Sequence, residues 1–188
     1  MRIISGKYKR RTIVAPEGDA TRPTSDRARE SLFNVLVHNF DLDGAKVLDL
    51  FAGSGAFGLE ALSRGAATVC FVERDRDALT ALEQNIKFFG IKDEAIISPT
   101  DVYKWLTARK GEYNIVFADP PYDDDRTLEA LPSKILSSGL LLADSLVIVE
   151  HRRGSSVSPV EGLDVIKEIT AGEAHFTILQ KKREVIST

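Results

Sequence analysis

The chain has 188 residues, 43% of them hydrophobic and 28% charged, with a formal net charge of −3. These values suit one α/β domain of a soluble protein and do not comfortably supply two cores. One cysteine and three scattered histidines exclude a disulfide framework and offer no metal-ligating cluster. No apolar signal core follows Met1, and the longest apolar stretch, GLLLADSLVIV, is interrupted by Asp144 and too short to span a bilayer. A cytoplasmic, monomeric protein with no metal and no membrane contact is the expectation. Cys70, inside TVCFV, is expected to be a small core residue.

The charge is unevenly distributed. Residues 1 to 29 carry eight Lys/Arg against three acids, a segment at +5, while the remainder stands at −8. A basic arm on an acidic body is a layout for holding nucleic acid with one part and another ligand with the other. A solubilising tail is the alternative.

In chain order, RTIVAP is a candidate short strand and PEGDATRPTSD a loop. SDRARESLFNVLVHNF reads as a helix capped by Ser25 or Asp26, with Leu32, Val35, Leu36 and Phe40 on one face. Strands and helices then alternate: KVLDLF, GAFGLEALSRG, TVCFVE, RDALTALEQNIKFFG, EAIISP, VYKWLTAR and YNIVFA. A helical stretch around 126–138, broken near Pro132, precedes the strand SLVIVEH. LDVIKEIT and HFTILQKK end the pattern as a hairpin joined by AGEA. The alternation predicts a doubly wound, mostly parallel sheet with helices on both faces and ligands at the strands' carboxyl ends. The hairpin adds an antiparallel member. Residues 1–43 form the arm and first helix, and 44–188 the domain proper.

Gly53-x-Gly55-x-x-Gly58 follows the first strand and opens a helix, a formal match to a dinucleotide-binding loop. Asp49, four residues before Gly53, argues against a pyrophosphate, which favours unopposed N–H groups. It suits S-adenosylmethionine, a cofactor without phosphate that carries an ammonium and a sulfonium. Glu73 ends the second strand, where a carboxylate can accept both ribose hydroxyls of either cofactor. Asp101 is placed either to accept from an adenine amine or to cap the VYKWL helix, roles that are not exclusive.

The stretch NIVFADPPYDDD contains the second site. Asp119 and Pro120 each precede a proline and are pushed into extended conformations, and neither Pro120 nor Pro121 has an N–H. The corner therefore presents acceptors without backbone donors, which matches an exocyclic amine with its two N–H groups. Tyr122 offers a flat face for a base. A plain strand-ending turn is the alternative. Asp123 to Asp125 read as a helix start, capping free N–H groups, rather than as a metal site.

Together, LDLFAGSG and DPPY resemble a class I S-adenosylmethionine-dependent methyltransferase, a Rossmann-like fold of seven strands. The opening RIISGKYKRR and the later RPTSDRARESLFNVL resemble the bacterial RsmD family, the 16S rRNA guanine-N2 methyltransferases, along nearly the whole chain. The resemblance implies methylation of the N2 amine of guanine 966 in 16S rRNA, within a small ribosomal subunit or an assembly intermediate. It assigns Asp49, Gly53, Gly55 and Glu73 to the cofactor, Asp101 to its adenine and Thr24 to its methionine end. Asp119, Pro120 and Tyr122 would hold the target amine and base, with Pro121 and Arg22 as further substrate contacts. Lys9, Arg10 and Arg11 would meet RNA backbone.

Other readings remain. DPPY does not distinguish a guanine from an adenine amine, so N6-adenine methylation of DNA or RNA stands as the alternative. A DNA-reading enzyme generally needs a target-recognition domain, for which the 43 residues outside the domain proper are too few. A non-catalytic nucleic-acid-binding module is disfavoured by Asp119 and the glycines, and an NAD oxidoreductase by Asp49 and the hairpin.

Overall fold

The computed structural model describes residues 1–16, 25–108, 111–121 and 125–183. Its centre is a seven-stranded sheet in the order β3-β2-β1-β4-β5-β7-β6. The parallel members are β1 (Lys46–Leu50), β2 (Thr68–Glu73), β3 (Ala95–Pro99), β4 (Tyr113–Ala118) and β5 (Leu141–Arg152). β6 (Leu163–Ala171) and β7 (Ala174–Lys181) form the expected hairpin. Its last strand is the inner one, because β7 pairs antiparallel with β5 and leaves β6 at the edge.

The central strands read as almost unbroken apolar runs because both faces are covered. Val47, Phe71, Ile115, Phe117 and Ile148 belong to a core shared with α1 (Asp26–Asn39), α2 (Ala56–Ser63) and α3 (Arg76–Phe89). Their neighbours Leu48, Cys70, Val116 and Val149 face α4 (Val102–Ala108) and α5 (Asp125–Ser137), so Cys70 is buried as expected. Helix boundaries follow local chemistry. Ser25 Oγ accepts from Ala28 N at 3.1 Å, Asp75 caps α3 through Asp77 N and Ala78 N, and α3 stops at Gly90 in the left-handed region.

Three expectations need correction. RTIVAP forms no strand; Thr12 makes only an isolated bridge to Arg2. The first residues instead fold back on themselves, with Ile3 N donating to Arg11 O and Ile13 N to Met1 O. Ile3, Tyr8 and Ile13 enter the α1–α3 core, so apolar burial holds this segment. α5 runs through Pro132 without a break. Pro132 costs about 3 kcal/mol in a helix interior. Burial of Leu128, Leu131 and Ile135 against the sheet, each contributing about 1.5–3 kcal/mol, offsets it. β5 begins at Leu141, earlier than SLVIVEH implied, across an irregular register in which Asp144 takes φ +61°. No helix among the described residues is long and apolar enough to cross a membrane.

Strand order reverses between β1 and β4, so the chain leaves these two neighbours towards opposite sides of the sheet. That opens a crevice at their carboxyl ends.

Candidate active site

The crevice is a cavity of about 930 Å³. Its floor is the loop after β1, where Phe51 adopts φ +57° and Gly53 φ +55°. Three neighbouring strands end beside it on an acid: β1 near Asp49, β2 on Glu73 and β4 just before Asp119.

Asp49 is 1% exposed, and its Oδ2 accepts from Gly58 N at 3.0 Å. It thereby ties β1 to the first turn of α2. Burial pushes its carboxyl well above the ordinary range, the Gly58 hydrogen bond opposes that rise, and the nearby Glu73 charge adds to it. A cation in the cavity would favour the ionised form.

Glu73 is held more fully. Its Oε2 accepts from Gly53 N at 2.8 Å, and its Oε1 from Arg74 N and Asp75 N at 2.7 and 2.8 Å. These bonds fix the carboxylate at the cavity wall while leaving acceptor capacity, since a carboxylate offers about four lone-pair sites.

The glycines divide by role. A Cβ on Gly53 would meet no atom within 4 Å, so this position gives a ligand close approach to the backbone. A Cβ on Gly58 would stand 2.4 Å from Phe71 Cε1, and one on Gly55 2.5 Å from Leu82 Cδ1. Those two glycines let α2 pack tightly on β2 and α3, and Gly55 does not line the cavity.

Asp101 also stays out of the lining, although Thr100 and Val102 are in it. Its Oδ1 accepts from Tyr103 N and Lys104 N at 3.0 and 3.2 Å, and its Oδ2 meets Arg74 Nη1 at 3.1 Å. The expected helix cap is formed.

Asp119, Pro120 and Pro121 line the cavity beside the glycine loop, and Asp119 N lies 3.5 Å from Leu50 O. Pro120 is buried and Pro121 exposed. Phe57 stacks on Phe117 at 4.0 Å and helps form the inner wall. Thr24, Arg22, Tyr122, Asp123 and Asp124 lie outside the described residues; α5 begins at Asp125.

Lys9, Arg10 and Arg11 are not beside this corner. The turn that bears them packs on the far ends of α2 and α3: Lys7 N donates to Ser63 O at 2.7 Å, and Arg11 Nη2 to Phe88 O at 2.7 Å. Phe88 stands about 18 Å along α3 from Arg76, whose neighbours Asp75 and Asp77 line the cavity. Arg11 also lies over the rings of Phe88 and Phe89, at 4.4 and 4.7 Å, while Lys9 and Arg10 are exposed.

Arg152, the last residue of β5, and Arg153, just past it, line the cavity instead, together with the buried Arg29 and Glu150. Sequence reasoning missed all four. Glu150 had a visible signal: LVIVE carries an acid near a strand's carboxyl end, as VLDL, FVE and VFAD do. Arg29 had none, since a charged residue in a helix reads as surface. It is 2% exposed, bonded to Arg2 O and Asp26 and 4.0 Å from the fully buried Glu60. Among the described lining residues, seven carboxylates face four arginines, an acidic environment that suits a cationic ligand. No cluster able to hold a metal occurs among the described residues.

Comparison with known proteins gives this geometry relatives. Residues 1–180 match the family described as Conserved hypothetical protein 95. YlbH of Bacillus subtilis (strain 168) is 37% identical, covering 97% of this chain and 100% of its own. Ribosomal RNA small subunit methyltransferase D of Escherichia coli (strain K12) is 32% identical, covering 98% of this chain and 91% of its own. A solved Escherichia coli structure superposes with a TM-score of 0.86 at 31% identity, covering 98% of this chain and 99% of that one. With a family model over nearly the whole chain, and relatives above 30% identity that it covers almost end to end, the chain belongs to the Conserved hypothetical protein 95 family, the RsmD family of rRNA methyltransferases.

Proposed function

We propose that the protein transfers a methyl group from S-adenosylmethionine to the N2 amine of a guanine in 16S rRNA, guanine 966 by family resemblance. The substrate is the RNA within the small ribosomal subunit or a ribonucleoprotein intermediate of its assembly. One observation carries the reading: the acceptor corner Asp119-Pro120-Pro121 shares one acid-rich cavity with the Gly53 loop and Glu73.

The residues fit the cofactor. Gly53 leaves its backbone open to a close ligand, Glu73 offers a fixed carboxylate for ribose hydroxyls, and the Asp49 carboxyl at the cavity would favour a cationic group. When bound, S-adenosylmethionine supplies an electrophilic methyl group on a sulfonium. The chain's own work is positioning. Asp119 and the Pro120 carbonyl accept the two N2–H bonds, which favours a localised lone pair aimed at the methyl group. The amine proton in excess after transfer leaves through the Asp119 hydrogen bond to water. Tyr122 stacks on the base, which must be unstacked and turned inward. Arg153, exposed at the rim, holds the flanking phosphate, and Lys9 and Arg10 meet RNA farther out.

The test is competition among substrates. The protein is incubated with methyl-labelled S-adenosylmethionine and small subunits, deproteinised 16S rRNA or plasmid DNA. Label concentrated in the 16S rRNA of subunits is expected. Label concentrated in DNA would favour the adenine reading and overturn the proposal.

A further inference from the structure

Four strands of the sheet place a carboxylate at or near their carboxyl end, at the cavity: Asp49 after Leu48 in β1, Glu73 closing β2, Asp119 just past β4 and Glu150 near the end of β5. The first three hold the cofactor loop or the target amine in the reading above. Glu150 has no part in it, yet it is only 2% exposed and lines the same cavity.

Sheet register fixes its neighbour. Ala118 of β4 is paired with Val149 of β5, so Asp119 and Glu150 are the next residues along two adjacent strands. Both follow the alternation of Phe117 and Ile148, which belong to the α1–α3 core, so both carboxylates start from the same face. Adjacent strands lie about 4.8 Å apart. Two acceptors at that spacing meet one edge of a base.

The edge they fit is guanine's. Beside its N2 amine, guanine presents N1–H, a further donor. Adenine presents N1 as a lone pair beside its N6 amine, and an ionised carboxylate has acceptors only. Two opposed acceptors in a buried site leave both unsatisfied, a penalty that supports strong discrimination. We propose that Glu150 is the residue that selects guanine, its carboxylate accepting the base's N1–H while Asp119 and Pro120 hold the N2 amine. This rests on the reading of the cavity as an amine-methylating site and adds to it the means of choosing the base.

The experiment uses small subunits reconstituted with 16S rRNA that carries either guanine or 2-aminopurine at the methylated nucleotide. 2-Aminopurine keeps the N2 amine but has an acceptor at N1. The wild-type protein is expected to prefer guanine at least about thirtyfold in kcat/KM. Glu150→Gln, whose amide can donate to an N1 acceptor, is expected to reduce that preference at least about tenfold, with S-adenosylmethionine affinity and melting temperature near wild type. A general packing role would lower both rates together and leave the preference unchanged. A preference for guanine unchanged within about threefold in Glu150→Gln would overturn the proposal. If that variant is inactive on both substrates, Glu150→Asp decides: it keeps the acceptor, so retained guanine preference at reduced kcat/KM supports the proposal, and lost preference overturns it. Failure of the wild-type protein to methylate the guanine-bearing subunits would instead refute the underlying function, in an arm read before any variant.

Discussion

Replacing Glu60 with Ala should unfold the protein far more readily than its place on an ordinary helix suggests. Glu60 is fully buried on α2 and accepts from Ile4 N at 2.7 Å, Ser5 N at 3.0 Å and Arg64 Nε at 2.6 Å. The buried Arg29 guanidinium lies 4.0 Å away. The substitution would strand two backbone donors, at about 1–3 kcal/mol each. It would also remove the partner of the buried Arg29 and the half-buried Arg64, at about 3–5 kcal/mol. These penalties overlap, because residues 1–5 can shift to reach water, so about 4 kcal/mol is expected. With an unfolding entropy of about 0.4 kcal/mol per kelvin for a chain of this length, the melting temperature should fall by about 10 °C. Circular dichroism melts at fixed protein concentration measure this directly. Glu60→Gln keeps one acceptor and should lose roughly half as much. A Glu60→Ala melt within about 2 °C of wild type would refute the view that this carboxylate anchors the start of the chain. Because Met1 and Arg29 also line the cavity, cofactor affinity should fall in parallel.

Four further outcomes are expected. Asp119→Ala should abolish methyl transfer while leaving S-adenosylmethionine affinity within about threefold by calorimetry, since the proposal gives Asp119 to the amine; a large affinity loss would move this residue to the cofactor. Gly53→Ala should do the reverse of a packing mutation: its Cβ has room, so the protein should melt within about 1–2 kcal/mol of wild-type stability while cofactor binding drops sharply. Equal losses in both would count against close ligand approach at this loop. Arg153→Glu should weaken RNA binding and flatten the slope of log affinity against log salt by about one, and an unchanged slope would remove the β5 end from the interface. His151 is pushed below its ordinary 6.5 mainly by burial, so the folded protein holds it neutral. The unfolded chain then binds the extra proton, and stability should be fully present above about pH 6.5 and decline as pH falls below it. His151→Gln should show a shallower decline in melting temperature between about pH 6.5 and 5, and an identical profile would assign the acid sensitivity elsewhere.

Much of the fold was legible in the sequence because β1 to β5 carry apolar runs bounded by glycine, proline and helix caps. Ser25, Asp75 and Gly90 mark helix ends by side-chain and backbone chemistry that acts over three or four residues. Insertion of β7 between β5 and β6 was not legible, because a hairpin's two strands have no sequence signal for which one faces the sheet. Pro132 misled for a related reason: the local rule weighs one lost hydrogen bond, while the outcome depends on Leu128, Leu131 and Ile135 meeting a distant strand. In the site, Asp49, Gly53, Glu73 and Asp119 could be found because each stands at or just past the carboxyl end of a strand in a short motif. Lys9, Arg10 and Arg11 advertise their charge but not their position, which is set by Tyr8 and Ile13 packing along α3. Glu60 and Arg29 read as surface charges, since only the folded chain brings them together.

The most direct test is the chemical identity of the product. Small subunits methylated by the protein are digested to nucleosides, and the labelled species is separated and identified by mass. N2-methylguanosine from 16S rRNA is predicted. N6-methyladenosine, or no methylated nucleoside while S-adenosylmethionine still binds, would contradict the account.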